Sequence, residues 1–160
     1  MGLVLAAVTV GSLLAGMRLA LPPEPTEASL AQNLTELRAA LEHYRADHGW
    51  YPGDPDRDFN SDGRSDLLRR QLTTFTRDDG KPADRRDLQF CFGPYLREIP
   101  PDPASGSRAV VLDQDRERPL DCLRQDVQEG SGRGGWYYEP RTGNVVANHG
   151  RGRMALYARF

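Results

Sequence analysis

The sharpest chemical pattern in the chain is Asp58-Phe59-Asn60-Ser61-Asp62-Gly63-Arg64-Ser65-Asp66, which fits D-x-[DN]-x-[DN]-G, the opening of an EF-hand-type loop. Calcium takes about six to eight oxygen ligands, so alternate carboxylates and amides at Asp58, Asn60 and Asp62 can converge on one cation. Gly63 permits the sharp turn, and the Arg64 carbonyl and the Asp66 carboxylate could complete the set. The position that normally carries a bidentate glutamate is Arg69, so Asp54 or Asp56 would have to substitute. The alternative is a solvated acidic turn, which Asp, Asn, Ser and Gly favour without any metal. Two thiols, Cys91 and Cys122, could pair in an oxidising compartment or remain unrelated buried thiols. His43, His48 and His149 are too few and too scattered for a metal centre, and His43 and His48 read as residues of a helix surface. No G-x-S-x-G elbow or phosphate loop occurs, and Gly132-Arg133-Gly134-Gly135 follows no strand and opens no helix. The expectation is therefore a non-enzymatic chain with calcium as its one candidate cofactor.

Whatever these groups do, a long helix must position them. Thr26 is a suitable N-cap and Glu27 suits the helix dipole, after which Leu30, Leu34, Leu37, Leu41 and Tyr44 recur at spacings of four, three, four and three. Asn33, Glu36, Arg38, Glu42 and Arg45 fall on the other faces, so the helix buries one stripe and ends near His48-Gly49. Residues 53–87 read mostly as loop, with a short helix around Leu67 to Leu72. Leu88 to Phe92 alternates, Gly93-Pro94 breaks it, and Tyr95 to Pro103 is a proline-fixed connector. Strands are expected at Arg108 to Leu112, Gly135 to Glu139, Asn144 to Asn148 and Arg153 to Arg159. The second and third flank Pro140-Arg141-Thr142-Gly143 and should form a hairpin. Gly130 to Gly135 reads as a surface loop, and Trp50, Tyr51, Trp136, Tyr137 and Tyr138 as packing between the helix end and the hairpin. The sum is an α+β fold in which a long N-terminal helix packs on a small antiparallel β-sheet.

Ahead of that helix, Leu3 to Leu21 is apolar and would span roughly 28 Å at about 1.5 Å per residue, near the thickness of a bilayer core. Pro22-Pro23-Glu24-Pro25 breaks or kinks it. Membrane anchorage is the favoured reading, with a cleavable signal peptide as the alternative. The chain divides into residues 1–25 as apolar helix and kink, 26–49 as amphipathic helix, and 50–160 as a small extracytoplasmic head. A formal charge of -2, from 21 basic and 23 acidic residues without a basic stripe, argues against nucleic acid as a partner.

In this order the pieces resemble the type IV pilin-like family, closest to the major pseudopilin of type II secretion systems. The resemblance rests on LAQNLTELRAALEHYRADHGWYPGD from Leu30 to Asp54, GPYLREIPPDPASG from Gly93 to Gly106, and GGWYYEPRTGNVVAN from Gly134 to Asn148. It implies a filament subunit in a bacterial inner membrane, single-pass, with its head in the periplasm or cell exterior. It also implies self-association through the N-terminal helix, and other pseudopilins and secretion-system membrane components as partners. The family's basic leader, glycine cleavage site, methylated aromatic and following glutamate are not present. Met1 to Leu5 looks like the second half of the family's apolar helix, so the natural start is expected upstream. The alternative function is a membrane-anchored or secreted calcium-binding interaction module that does not polymerise.

Overall fold

A computed structural model describes residues 25–54, 56, 64–113 and 134–148. Helix α1 spans Pro25–His48 and α2 spans Arg64–Thr73. The strands are short: β1 Phe75–Thr76, β2 Pro82–Ala83, β3 Val110–Leu112, β4 Trp136–Tyr138 and β5 Val145–Ala147. This is an α+β arrangement. The apolar run Leu3 to Leu21, the expected strand Arg153 to Arg159 and most of the acidic stretch lie outside the described residues. Among the described residues no helix is long and apolar enough to cross a membrane.

Helix α1 begins at Pro25, one residue before the expected cap at Thr26, because proline's fixed φ and missing N–H suit a first helical turn. It stops at Gly49, whose φ of 81° only glycine adopts cheaply and whose N–H donates to the Arg45 carbonyl at 2.7 Å. Its whole stripe is buried, with Leu30, Leu34, Leu37, Leu41 and Tyr44 each at most 3% exposed. The stripe packs with Leu68 and Leu72 of α2, Leu96 and Ile99 of the connector, and Leu112, Trp136, Tyr138, Val145 and Ala147 of the sheet. Each such leucine contributes on the order of 1.5–3 kcal/mol by leaving water.

The sheet β3-β4-β5 departs from the antiparallel expectation. Strands β4 and β5 form the expected antiparallel hairpin, pairing Trp136 with Ala147 and Tyr138 with Val145, but β3 runs parallel to β4, pairing Val110 with Trp136. A parallel neighbour needs a connection of a dozen or more residues, which residues 113–135 supply. In β4 and β5 the alternation buries Trp136, Tyr138, Val145 and Ala147 and turns Tyr137 and Val146 the other way. The Trp136 indole N–H donates to the Pro100 carbonyl at 2.7 Å, and the Tyr138 hydroxyl to the Pro52 carbonyl at 3.0 Å, so both buried aromatics satisfy their polar ends.

Strands β1 and β2 form a separate two-residue hairpin inside the segment read as loop. Leu88 to Phe92 forms no strand. Only Phe92 bridges to Thr76, while the Asp87 carboxylate accepts the Gln89 and Phe90 amides and holds a turn there. Side chains of α1 tie distant segments together: the Asn33 amide donates to the Pro101 carbonyl at 2.7 Å and Arg38 to the Val145 carbonyl at 3.3 Å.

Candidate functional site

Asp58, Asn60 and Asp62 of the calcium-type pattern, and Cys122 of the candidate disulfide, lie outside the described residues. Arg64 opens α2, and Asp66 sits in its first turn, exposed and 3.6 Å from the Arg69 guanidinium. An acidic side chain there complements the helix dipole whether or not a cation is present. Upstream, the Asp56 amide donates to Asp54 Oδ1 at 3.0 Å, an Asx-type turn. Among the described residues no group of three or more His, Cys, Asp or Glu side chains could hold a metal ion. Cys91 is exposed at the end of the Asp87 turn.

A cluster of groups with shifted proton affinities lies at the C-terminal end of α1. His48 follows Tyr44 by four positions, so the two share a face and their ring centroids stand 4.2 Å apart. His48 is 5% exposed, which corrects the expectation of a surface histidine. The reason is positional: adding one further step of four to the stripe places residue 48 over the core. Trp50, Phe92 and Tyr95 complete an aromatic wall, with centroids 5.7, 5.1 and 6.4 Å from the imidazole.

The polar edges of the ring are matched. His48 Nδ1 lies 3.3 Å from the Asp78 carbonyl oxygen, which can only accept, so Nδ1 carries the hydrogen. Nε2 then accepts from the Thr76 hydroxyl at 2.9 Å. The Tyr95 hydroxyl donates to Asp47 Oδ2 at 2.8 Å and lies 3.2 Å from Nε2. Burial pushes the imidazole below its ordinary value of 6.5, opposed by the Asp78 carbonyl and by the charges of Asp47, Asp78 and Asp79. Burial also raises the Tyr95 phenol, with the hydrogen bond to Asp47 adding to the effect. A hydroxyl beside an imidazole has the form of a nucleophile and base. Thr76 is 0% exposed, so its oxygen meets the imidazole and the protein interior, and the cluster joins three elements.

Two further nodes fasten the head. The Tyr51 hydroxyl donates to Glu42 Oε1 at 2.6 Å and accepts from Arg45 at 3.1 Å, while the Arg45 guanidinium lies 4.9 Å from the ring centroid. Gly143 of the β4–β5 turn lies against the same ring. Asp102 is wholly buried, and its carboxylate accepts from the Ser105 hydroxyl, from the Ala104 amide at 3.2 Å and from the Gly135 amide at 3.3 Å. Gly134 and Gly135, read as part of a surface loop, are instead buried, because this carboxylate and the first rung of β4 draw the segment inward.

Comparison with protein-family models, curated proteins and solved structures returns no match. The functional reading therefore rests on the pattern of this chain itself.

Proposed function

We propose that the chain is a structural subunit of a type II secretion pseudopilus or a related type IV pilus-like filament, assembling through its N-terminal helix and performing no catalysis. The observation that carries the reading is the way α1 is used. The apolar run Leu3 to Leu21 precedes it in sequence, and its leucine stripe is consumed by the α+β head rather than offered to a partner helix. A head locked to its helix along the whole stripe moves with that helix, as a subunit drawn from a membrane into a filament must. Support also comes from the antiparallel β4–β5 hairpin, the element expected within Gly134 to Asn148, one of the three segments on which the resemblance rests.

In this reading the inner membrane holds the subunit before assembly and the head stands on the periplasmic side. Calcium belongs to the same proposal, with Asp58, Asn60, Asp62, the Arg64 carbonyl and Asp66 as ligands. Cys91 and Cys122 are a proposed pair in that oxidising compartment.

The deciding experiment takes the protein from the membrane fraction of its own cells, determines the mature N-terminus by intact mass, and cross-links the membranes before solubilisation. A methylated aromatic N-terminus upstream of Met1 together with a ladder of covalent multimers is the expected result. A mature chain that starts just after the apolar run and cross-links only as a monomer would sink the filament reading and leave an interaction module in its place. For calcium, the melting temperature should rise with added calcium and fall with chelator; identical values in both would remove the cation from the proposal.

A further inference from the structure

We infer that Arg85-Arg86 is a processing site for an endoprotease that reads paired basic residues, cut between Arg86 and Asp87 in the folded protein. The inference is independent of the filament reading, since it uses only the described head. Paired basic residues occur twice in the chain, at Arg69-Arg70 and at Arg85-Arg86. The fold hides the first pair's bond and presents the second's. A cut after Arg70 falls inside α2, flanked by Leu68, Gln71 and Leu72, each at most 2% exposed. By contrast Asp84, Arg85, Arg86, Asp87, Leu88 and Gln89 are all exposed, three residues on each side of the Arg86–Asp87 bond. Exposed turns of this kind are where folded chains are nicked.

A protease cleft takes its substrate as an extended strand, so the chain must straighten locally before it is cut. At Arg86 little resists. The Asp87 carboxylate accepts the Gln89 and Phe90 amides at 2.7 and 2.9 Å, and the Asp87 amide donates to the Phe90 carbonyl at 3.3 Å, all within the turn itself. Asp84 pairs with Arg70 at 3.5 Å across the surface. Opening these contacts leaves the core intact, whereas straightening α2 would pull Leu68 and Leu72 out of it. Among the described residues Arg85 and Arg86 take no ion pair, so both guanidinium groups are available to carboxylates in a specificity pocket. Strand β2 on one side and the Phe92 bridge to Thr76 on the other hold the ends of the segment in place.

Hydrolysis adds one water across the bond, leaving a carboxylate on Arg86 and an amino group on Asp87. It divides the head between two chains. Residues 1–86 keep α1, α2 and the β1–β2 hairpin, and residues 87–160 keep the connector and the β3-β4-β5 sheet. Cys91 and Cys122 both fall in the second piece, so their pairing would not tie the pieces together. The buried contacts of the α1 stripe with the connector and the sheet survive the cut, as does the bridge between Thr76 and Phe92. The nicked head therefore stays assembled, but its cover is now a separate molecule, and its stability comes to depend on concentration. The cut turns a permanent cover over α1 into a removable one.

The test treats the full chain in detergent micelles with a purified endoprotease that cuts after paired basic residues, and follows the fragments by intact mass. Synthetic peptides carrying the Arg69-Arg70 and Arg85-Arg86 sequences normalise the two rates. Relative to its peptide, cleavage after Arg86 should run about a hundredfold or more faster than cleavage after Arg70, because the α2 site waits for the core to open. Arg86→Gln should abolish the cut and leave the circular dichroism of the chain unchanged. Nicked protein should elute as one species in the absence of urea, and its urea midpoint should fall on dilution more than that of the intact chain. The inference is overturned by cleavage after Arg70 in step with that after Arg86, or by a chain left whole under conditions that consume both peptides. An Arg86→Gln chain cut at the same place, or a nicked head that parts without urea, overturns it equally.

Discussion

Replacing Gly143 by alanine should destabilise the head by about 3 kcal/mol, several times more than the same change at Gly49 or Gly106. All three glycines hold a left-handed backbone, with φ of 76°, 81° and 69°. For alanine that conformation costs roughly 1–2 kcal/mol, offset by about 0.4–1 kcal/mol from the narrower unfolded ensemble. A side chain at Gly49 or Gly106 meets nothing within 4 Å, so those variants should lose about 1 kcal/mol or less. At Gly143 the new methyl would fall on the Tyr51 ring. The ring cannot yield freely, because its hydroxyl is held by Glu42 at 2.6 Å and Arg45 at 3.1 Å. Overpacking costs about 1–3 kcal/mol, and loosening those half-exposed charged hydrogen bonds adds about 1 kcal/mol at most. Urea unfolding followed by far-ultraviolet circular dichroism, with unchanged m-values, gives the three differences directly. The double variant Tyr51→Ala with Gly143→Ala should lose less than the sum of the two singles, since removing the ring removes the clash. A Gly143→Ala chain within about 0.5 kcal/mol of the Gly49 and Gly106 variants would refute the clamp, for then the backbone alone sets the cost.

Leu37→Ala, in the centre of the buried stripe, should cost about 2–5 kcal/mol in the same assay, and a loss under 1 kcal/mol would mean that the stripe is not packed as described. Asp102→Ala strands the Ser105 hydroxyl and the Ala104 amide and leaves the Gly135 amide only its 3.2 Å bond to the Ser105 oxygen, so a loss of roughly 1–3 kcal/mol is expected, with Asp102→Asn losing less because an acceptor survives. His48 sets a pH dependence whose sign follows from its lowered affinity for protons. Its contribution is complete above the unfolded value of 6.5 and shrinks as pH falls from there toward the folded value, because the unfolded chain binds the proton first. The urea midpoint should fall over that window, and a His48→Gln chain should lack that part of the slope.

The elements that could be read from sequence were those whose residues carry a period or a turn signal long enough to count. Helix α1 shows five apolar positions in strict helical spacing, and the β4–β5 hairpin shows alternation on both sides of a glycine turn. The parallel pairing of β3 was not legible, because alternation tells which side of a strand is buried and not which neighbour it chooses. Strands β1 and β2 are two residues each, too short for any alternation to register, and arise from the Phe92 bridge and the turn between them. His48 was misread because its residue type was weighed ahead of its place, four positions beyond Tyr44. Asp102 looked like one polar residue in a proline-rich connector, and only the return of Gly135 from the far end of the chain gives its carboxylate a role. The acidic stretch from Asp58 to Asp62 rests on its sequence pattern alone.

The bond between Arg38 and the Val145 carbonyl joins residues 107 positions apart. Chains grow from the N-terminus at about 5–20 residues per second, so α1 is made roughly 5–20 s before the strand that covers it. During that time the five large apolar side chains of the stripe lack the β4–β5 hairpin, and α2 and the connector cover them only as they are made. A nascent chain in that condition invites capture by a chaperone or a lipid surface. Val145 and Ala147, last in sequence among the described core residues, complete the cover over the stripe.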